Sequence, residues 1–318
     1  MEIQKLPNGM DASLLKFPVE YNVAGLFVFS KLLFLAIEMV KEKYDYDLPI
    51  KYIYGSPNVV WNGGRFVAKD FVGKDFSLRE IEEEMIEVKE RGITPLLTFS
   101  NTLIEKQDLL DRKANDVLKI AKEINGEIIV TNELLEKYIR DKYPELKIHA
   151  SVIKTVFAQK RDEEYYNELS KNYSKYVVHP DDNFNLELLK KIPKENAEIL
   201  INERCMYQCK LREQHYRSIS KEQILFNNGK YESTKFMKMC KFVPENKQFD
   251  IKERNISLTV DELEKVMNLG FKNIKIQGRT DNLYSFFFDL FRYSLENGIV
   301  FPTTFPIFNY YIEKFLKK

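Results

Sequence analysis

Ser77-Leu-Arg-Glu-Ile-Glu-Glu-Glu-Met-Ile-Glu-Val-Lys-Glu-Arg-Gly-Ile-Thr-Pro-Leu-Leu-Thr-Phe99 holds one complete structural unit. Ser77 followed by Glu80 is a capping box, which opens a helix by satisfying its first backbone N–H groups. Gly92 stops that helix after Arg91, because glycine accepts the left-handed turn that ends a helix. Residues 93–99 are then an apolar run of strand length. Pro95 lacks the N–H that a central strand donates, so full pairing is expected to start after it.

The same helix–turn–strand unit recurs on both sides. Strands are expected at 14–19, 50–54, 127–130, 147–151, 175–178, 198–201 and 273–276. Helices are expected at 24–40, 112–124, 133–142, 163–171, 186–191, 259–269 and 282–297, with a short last one near 310–315. Asn125-Gly126 ends one helix, and Asn132 caps the next. Eight short strands alternating with helices point to a parallel sheet, and eight units closing on themselves make a (β/α)8 TIM-type barrel, with some distortion allowed. An open doubly wound sheet is the alternative. Nothing marks a second domain, so 1–318 is read as one barrel. Residues from about 217 to 257 lack a period and are read as an insertion after strand seven, carrying Cys240.

Composition bounds the function. Hydrophobic residues make up 44% and charged residues 31% of 318, with a formal net charge of +1. That is an ordinary soluble composition, with no bulk attraction to nucleic acid or membrane. Three cysteines exclude a disulfide framework and imply free thiols in a reducing, cytoplasmic setting. Residues 1–9 are polar and are expected to carry no secretory signal. The apolar stretch 24–40 contains Lys31 and Glu38 and falls short of the ~20 apolar residues of a span, so it is read as a buried helix.

In a barrel of this kind chemistry sits at the carboxyl ends of the strands. Read off in order, those ends present Ser100 and Asn101, Thr131 and Asn132, Ser151, then His179, Asp181 and Asp182. Asn202, Glu203 and Cys205 follow, and Gln277, Gly278 and Arg279 come last. The loop Asn62-Gly63-Gly64-Arg65 suits a turn or a close backbone approach. Plainer roles stand beside these: Asn132 and Asn202 as helix caps, Glu203 at the positive end of a helix, Asp181 and Asp182 as turn residues, Arg65 and Arg279 in ion pairs. His149 is expected to be packed or solvent-facing.

Cys205 and Cys209 are spaced to share one face of a helix, and a helix amino terminus favours the thiolate that binds metal. With Cys240 they make a three-thiol set for zinc or an iron–sulfur cluster, with His215 or a carboxylate as a fourth ligand, or an open position. A nucleophilic Cys205 with His215 as base is the hydrolytic reading; neither His-Glu-x-x-His nor Gly-x-Ser-x-Gly occurs. A barrel without catalysis, holding structural zinc or bare thiols, is the third reading.

The segment Asn202-Glu203-Arg204-Cys205-Met-Tyr-Gln-Cys209-Lys-Leu-Arg212-Glu-Gln-His215-Tyr216 resembles the cysteine motif of the collagenase-like peptidase family (peptidase family U32-like). That motif runs Asn-Glu, then Cys-x-x-x-Cys-x-x-Arg-x-x-His-Tyr. Lys275-Ile-Gln-Gly278-Arg279 resembles the family's Lys-Ile-Glu-Gly-Arg, and the loop to Arg65 its glycine-rich loop. The resemblance spans roughly residues 14–300. It implies a barrel-like α/β fold, a 4Fe–4S cluster held by cysteines, and oxygen-independent hydroxylation or related redox chemistry as in characterised relatives. Carried over, Cys205, Cys209 and Cys240 are ligands, with Arg212 and His215 near them. Expected partners are a small-molecule or carrier-bound substrate and a protein of the same family, with nucleic acid unsupported. Glu203, Arg65, Asn101, His179, Asp181 and Arg279 complete the candidate catalytic set. Two departures stand out: three cysteines where the family has four, and Gln277 where it usually has Glu.

Overall fold

A computed structural model of the chain describes residues 19–63, 76–230, 256–278, 283–295 and 297–313. Eight strands close into a barrel in sequence order: β1 Glu20–Ala24, β2 Ile50–Gly55, β3 Thr94–Phe99, β4 Glu127–Val130, β5 Ile148–Ala150, β6 Lys175–Val178, β7 Ala197–Leu200 and β8 Asn273–Ile276. All pairs are parallel, and β8 returns to β1 through Tyr21↔Ile274 and Val23↔Ile276. This is the (β/α)8 barrel.

The helices are α1 Ser30–Tyr44, α2 Leu78–Glu90, α3 Arg112–Glu123, α4 Glu133–Lys142, α5 Val152–Val156, α6 Glu163–Asn172 and α7 Leu186–Lys191. They continue with α8 Arg212–Asn227, α9 Val260–Met267, α10 Leu283–Arg292 and α11 Asn297–Tyr311. The capping boxes at Ser77/Glu80 and Thr259/Glu262 form with both bonds in place. Pro95 pairs in register with Ile53 of β2, whereas the ladder to β4 starts at Leu96↔Glu127, after the proline. Among the described residues no helix is long and apolar enough to cross a membrane.

Three elements differ from expectation. The first strand is β1, not 14–19; residues 14–18 lie outside the described residues. A buried polar residue, Asn22, interrupts its apolar pattern. Residues 217–227 are helical, as the second half of α8, rather than irregular. The buried face of α8 is Arg212, Tyr216, Ser220 and Gln223, so the helix has no apolar stripe to read. The last helix begins at Asn297 despite Pro302 and Pro306 within it. Burial of Ile307 and a Tyr44–Thr303 hydroxyl bond to α1 (2.8 Å) outweigh the local cost of proline.

The barrel interior is charged. Barrels of this class are usually filled with branched aliphatic side chains. Here Asn22 of β1 donates to Glu198 of β7 (2.6 Å), and the Lys275 ammonium of β8 lies 3.4 Å from the other oxygen of the same carboxylate. Glu198 is 1% exposed and Lys275 6%. A second tier toward the amino ends joins His149 to Glu127 (2.6 Å), and the Tyr52 ring meets His149 edge-on at 5.2 Å. His149 is thus fully buried and packed in the interior.

Burial alone would raise the Glu198 carboxyl. The charges of Lys275 and His149 and the Asn22 bond outweigh it and leave the pKa below the usual 4.5. The folded chain therefore holds this carboxylate more firmly than the unfolded chain, and the resulting stability is present above about 4.5 and is lost as pH falls through the depressed value. Glu198→Ala is expected to lower unfolding free energy by about 3–5 kcal/mol in urea titration at neutral pH. Arg79→Ala, which removes only the exposed i,i+4 pair with Glu83, should change it by less than about 1 kcal/mol.

Candidate functional site

The chain leaving β7 is held rigidly before it reaches the thiols. The Asn202 amide donates to the Gln277 carbonyl (2.9 Å) and to Asp289 (3.0 Å), and its oxygen accepts from the Gln277 N–H (2.8 Å). Asn202 therefore staples the ends of β7 and β8 together rather than capping a helix. Asn132, by contrast, does cap α4, accepting from the Leu135 N–H. Glu203, 6% exposed, accepts from the Cys205 N–H (3.0 Å) and from the Gln277 side chain (3.2 Å).

Cys205 and Cys209 lie in the turns before α8, not on a helix face, and α8 starts only at Arg212. The expected lowering of both thiols by a helix terminus does not occur at Cys205. Burial pushes its pKa up to about 12, against the pull of the Arg212 guanidinium. Ile256 bonds to the Cys205 carbonyl (3.2 Å), so the chain rejoins the described structure at Cys205 after the stretch carrying Cys240. Cys240, Arg65 and Arg279 lie outside the described residues.

Arg212 organises the rim. Its two terminal nitrogens clamp Asp181 at 3.1 and 3.0 Å, the first also reaches His179 Nε2 (3.0 Å), and the second reaches the Met206 carbonyl (2.6 Å). The charge of the same guanidinium acts on the Cys205 thiol. Arg161 and the Tyr166 hydroxyl hold Asp182 beside this group. The sequence-derived candidates His179, Asp181, Arg212 and Cys205 are thus one cluster. An open cleft lined by His179, Asp181, Cys209 and Arg212 leads to it.

His215 stacks on Tyr216 with centroids 5.9 Å apart, and Asn101 ties loops together, donating to the Val60 carbonyl and accepting from Leu103. Gly63 is required by packing: a Cβ there would meet Ser100 Oγ at 2.2 Å and its carbonyl oxygen at 2.9 Å.

Helix α8 crosses the barrel mouth as a strap. Arg212 holds its start to the loop after β6, Tyr216 lines the mouth, Ser220 accepts from Thr102 after β3, and Gln223 donates to Asn58 after β2. Beneath it is a cavity of about 60 Å³ walled by Tyr54, Thr98, Ser100, Ser151, Lys275 and Gln277. Ser100, Ser151 and Gln277 stand where strand-end reading placed polar groups. Tyr54, Thr98 and Lys275 were missed; a lysine in alternation with the apolar positions of a strand was the available signal.

Among the described residues no group of three His, Cys, Asp or Glu side chains is placed to hold a metal ion. The described donors of a thiolate set are Cys205 and Cys209, so a metal here needs Cys240 as well.

Burial, then the charges of Arg161 and Arg212, lower the His179 imidazole from 6.5 to about 2. Between those values the unfolded chain binds a proton that the folded chain does not. The stability this site contributes is full above about 6.5 and falls as pH drops toward 2, by up to about 1.4 kcal/mol per pH unit. His179→Gln should flatten the stability–pH slope between pH 4 and 6 in urea titrations.

No protein-family model matches the chain, and no curated protein matches it. Among solved structures, a U32 peptidase superposes with a TM-score of 0.51 at 13% identity, over 82% of this chain and 93% of that one. A GH113 β-1,4-mannanase covers 99% of this chain at 10% identity with a TM-score of 0.35, too low to carry an argument. At such identities likeness speaks for fold alone, and the fold is a U32-peptidase-like barrel.

Proposed function

We propose that this chain is a collagenase-like (U32-like) family protein working as an iron–sulfur enzyme, with Cys205, Cys209 and Cys240 as the thiolate ligands of a 4Fe–4S cluster. Its substrate is small or carrier-bound and enters the barrel mouth, and the reaction is oxygen-independent hydroxylation or related redox chemistry. The observation that carries this reading is the Arg212 clamp. One buried guanidinium, fixed by Asp181, His179 and the Met206 carbonyl, sits at the strand ends where its charge acts on the Cys205 thiol, on the helix that also lines the mouth cavity. The cysteine motif and the return of the chain to Cys205 at Ile256 support it.

The cluster, when bound, supplies one-electron transfer and a Lewis-acidic iron. With the cluster bound, Arg212 would balance thiolate charge at the Cys205 sulfur. Asp181 and His179 hold the guanidinium in place. Three thiolates leave one position for substrate or a non-cysteine ligand. The strap helix places Tyr216 on the wall of the mouth cavity.

A cysteine peptidase is the second reading. The cation acting on the Cys205 thiol is the Arg212 guanidinium, which has no lone pair to take a proton. A nucleophilic cysteine works through an imidazole base.

Iron, sulfide and zinc analysis with a visible spectrum, on protein purified without oxygen, tests the proposal. Expected are about four irons and four sulfides per chain with a broad thiolate-to-iron absorption, lost in Cys205→Ala and Cys240→Ala. One zinc per chain overturns it in favour of a structural site, and no metal overturns it outright. Arg279→Ala is expected to keep the fold and the cluster and to abolish turnover, whereas Cys209→Ser should lose the cluster.

A further inference from the structure

The mouth cavity has one charged wall. Among the described residues lining it, Lys275 is the only ionised one, and Tyr54, Thr98, Ser100, Ser151 and Gln277 add hydroxyls and an amide. The Lys275 ammonium lies 3.4 Å from Glu198 and 4.5 Å from the centre of the Tyr54 ring. Glu198 does not line the cavity, and Asn22 holds its other oxygen at 2.6 Å. The pair is therefore a buried dipole with its positive end at the cavity and its negative end directed away.

Size and charge together select a ligand class. A water needs roughly 10–15 Å³ of such space, so about 60 Å³ admits a group of roughly four to six heavy atoms. A phosphate dianion calls for more than one cation. One ammonium, already paired with Glu198 and presenting only the positive end of that dipole, beside neutral hydroxyl donors suits a monoanion rather than a dianion. We infer that this cavity binds the carboxylate end of a small organic acid, anchored by Lys275, with the hydroxyl wall completing its hydrogen bonds. The inference deepens the proposed function by naming its substrate class. It rests on that reading only for the acid's being a substrate, since binding requires no cluster.

Titration calorimetry on the whole chain with acetate, pyruvate, acetamide and inorganic phosphate tests it. Acetate and pyruvate are expected to bind, and acetamide and phosphate to bind at least roughly tenfold more weakly. The double variant Glu198→Gln/Lys275→Met removes both charges, stranding no buried ion. It should keep its circular dichroism spectrum and lose carboxylate binding. Thr98→Val provides a second variant that leaves the ion pair intact and should weaken binding roughly fivefold. Cys205→Ala should bind the acids as the unaltered chain does, so failure of the cluster reading leaves this result standing. Absence of carboxylate binding, equal binding of acetamide or phosphate, or unchanged binding in a folded double variant or in Thr98→Val would overturn the inference.

Discussion

The buried Glu198–Lys275 pair, with Asn22 on the far carboxylate oxygen, is the constraint the barrel is arranged around. Three strands, β7, β8 and β1, each contribute one member. A charge at this depth is tolerable only when opposite charge and hydrogen bonds meet it, so the three strands have one acceptable register with respect to each other. A slip of one residue would turn these groups outward and put apolar side chains in their place. The His149–Glu127 pair imposes the same condition on β4 and β5. Ionic layers inside a parallel barrel do not add stability over a packed aliphatic core. Their value here is placement: the upper ion of the Glu198–Lys275 pair forms the floor of the mouth cavity.

A second arginine-centred network builds the rim. Asp181 and His179 come from the loop after β6, Cys205 from the loop after β7 and Arg212 from the start of α8. Arg212 is 5% exposed, and a planar guanidinium with five donors suits a site where carboxylate, imidazole and carbonyl converge beside a thiol. Because α8 is pinned at Arg212 and again at Ser220 and Gln223, the thiol site and the mouth cavity share one rigid element.

The barrel was legible because strands buried on both faces read as short apolar runs, and because capping residues such as Ser77 and Thr259 mark helix starts from local chemistry alone. The rim residues followed from counting past each strand end, which is why Ser100, Ser151 and Gln277 line the cavity and His179 and Asp181 meet Arg212. Two of the elements read differently, β1 and α8, share one feature: their buried faces carry Asn22 in one case and Arg212, Ser220 and Gln223 in the other. Hydrophobic periodicity detects apolar burial and is silent where a polar side chain is buried with a partner from a distant part of the chain.

What the sequence determined by itself is the eightfold β/α alternation and the clustering of thiols, acids and histidine at strand ends. These follow from local propensity, capping and the period of apolar residues. Only the tertiary structure decided which polar groups are buried together: Glu198 with Lys275, Arg212 with Asp181 and His179, and Lys275 under the mouth. Partners such as Asn22 and Glu198 stand 176 residues apart in sequence, and no local pattern encodes a contact that closure of the barrel creates.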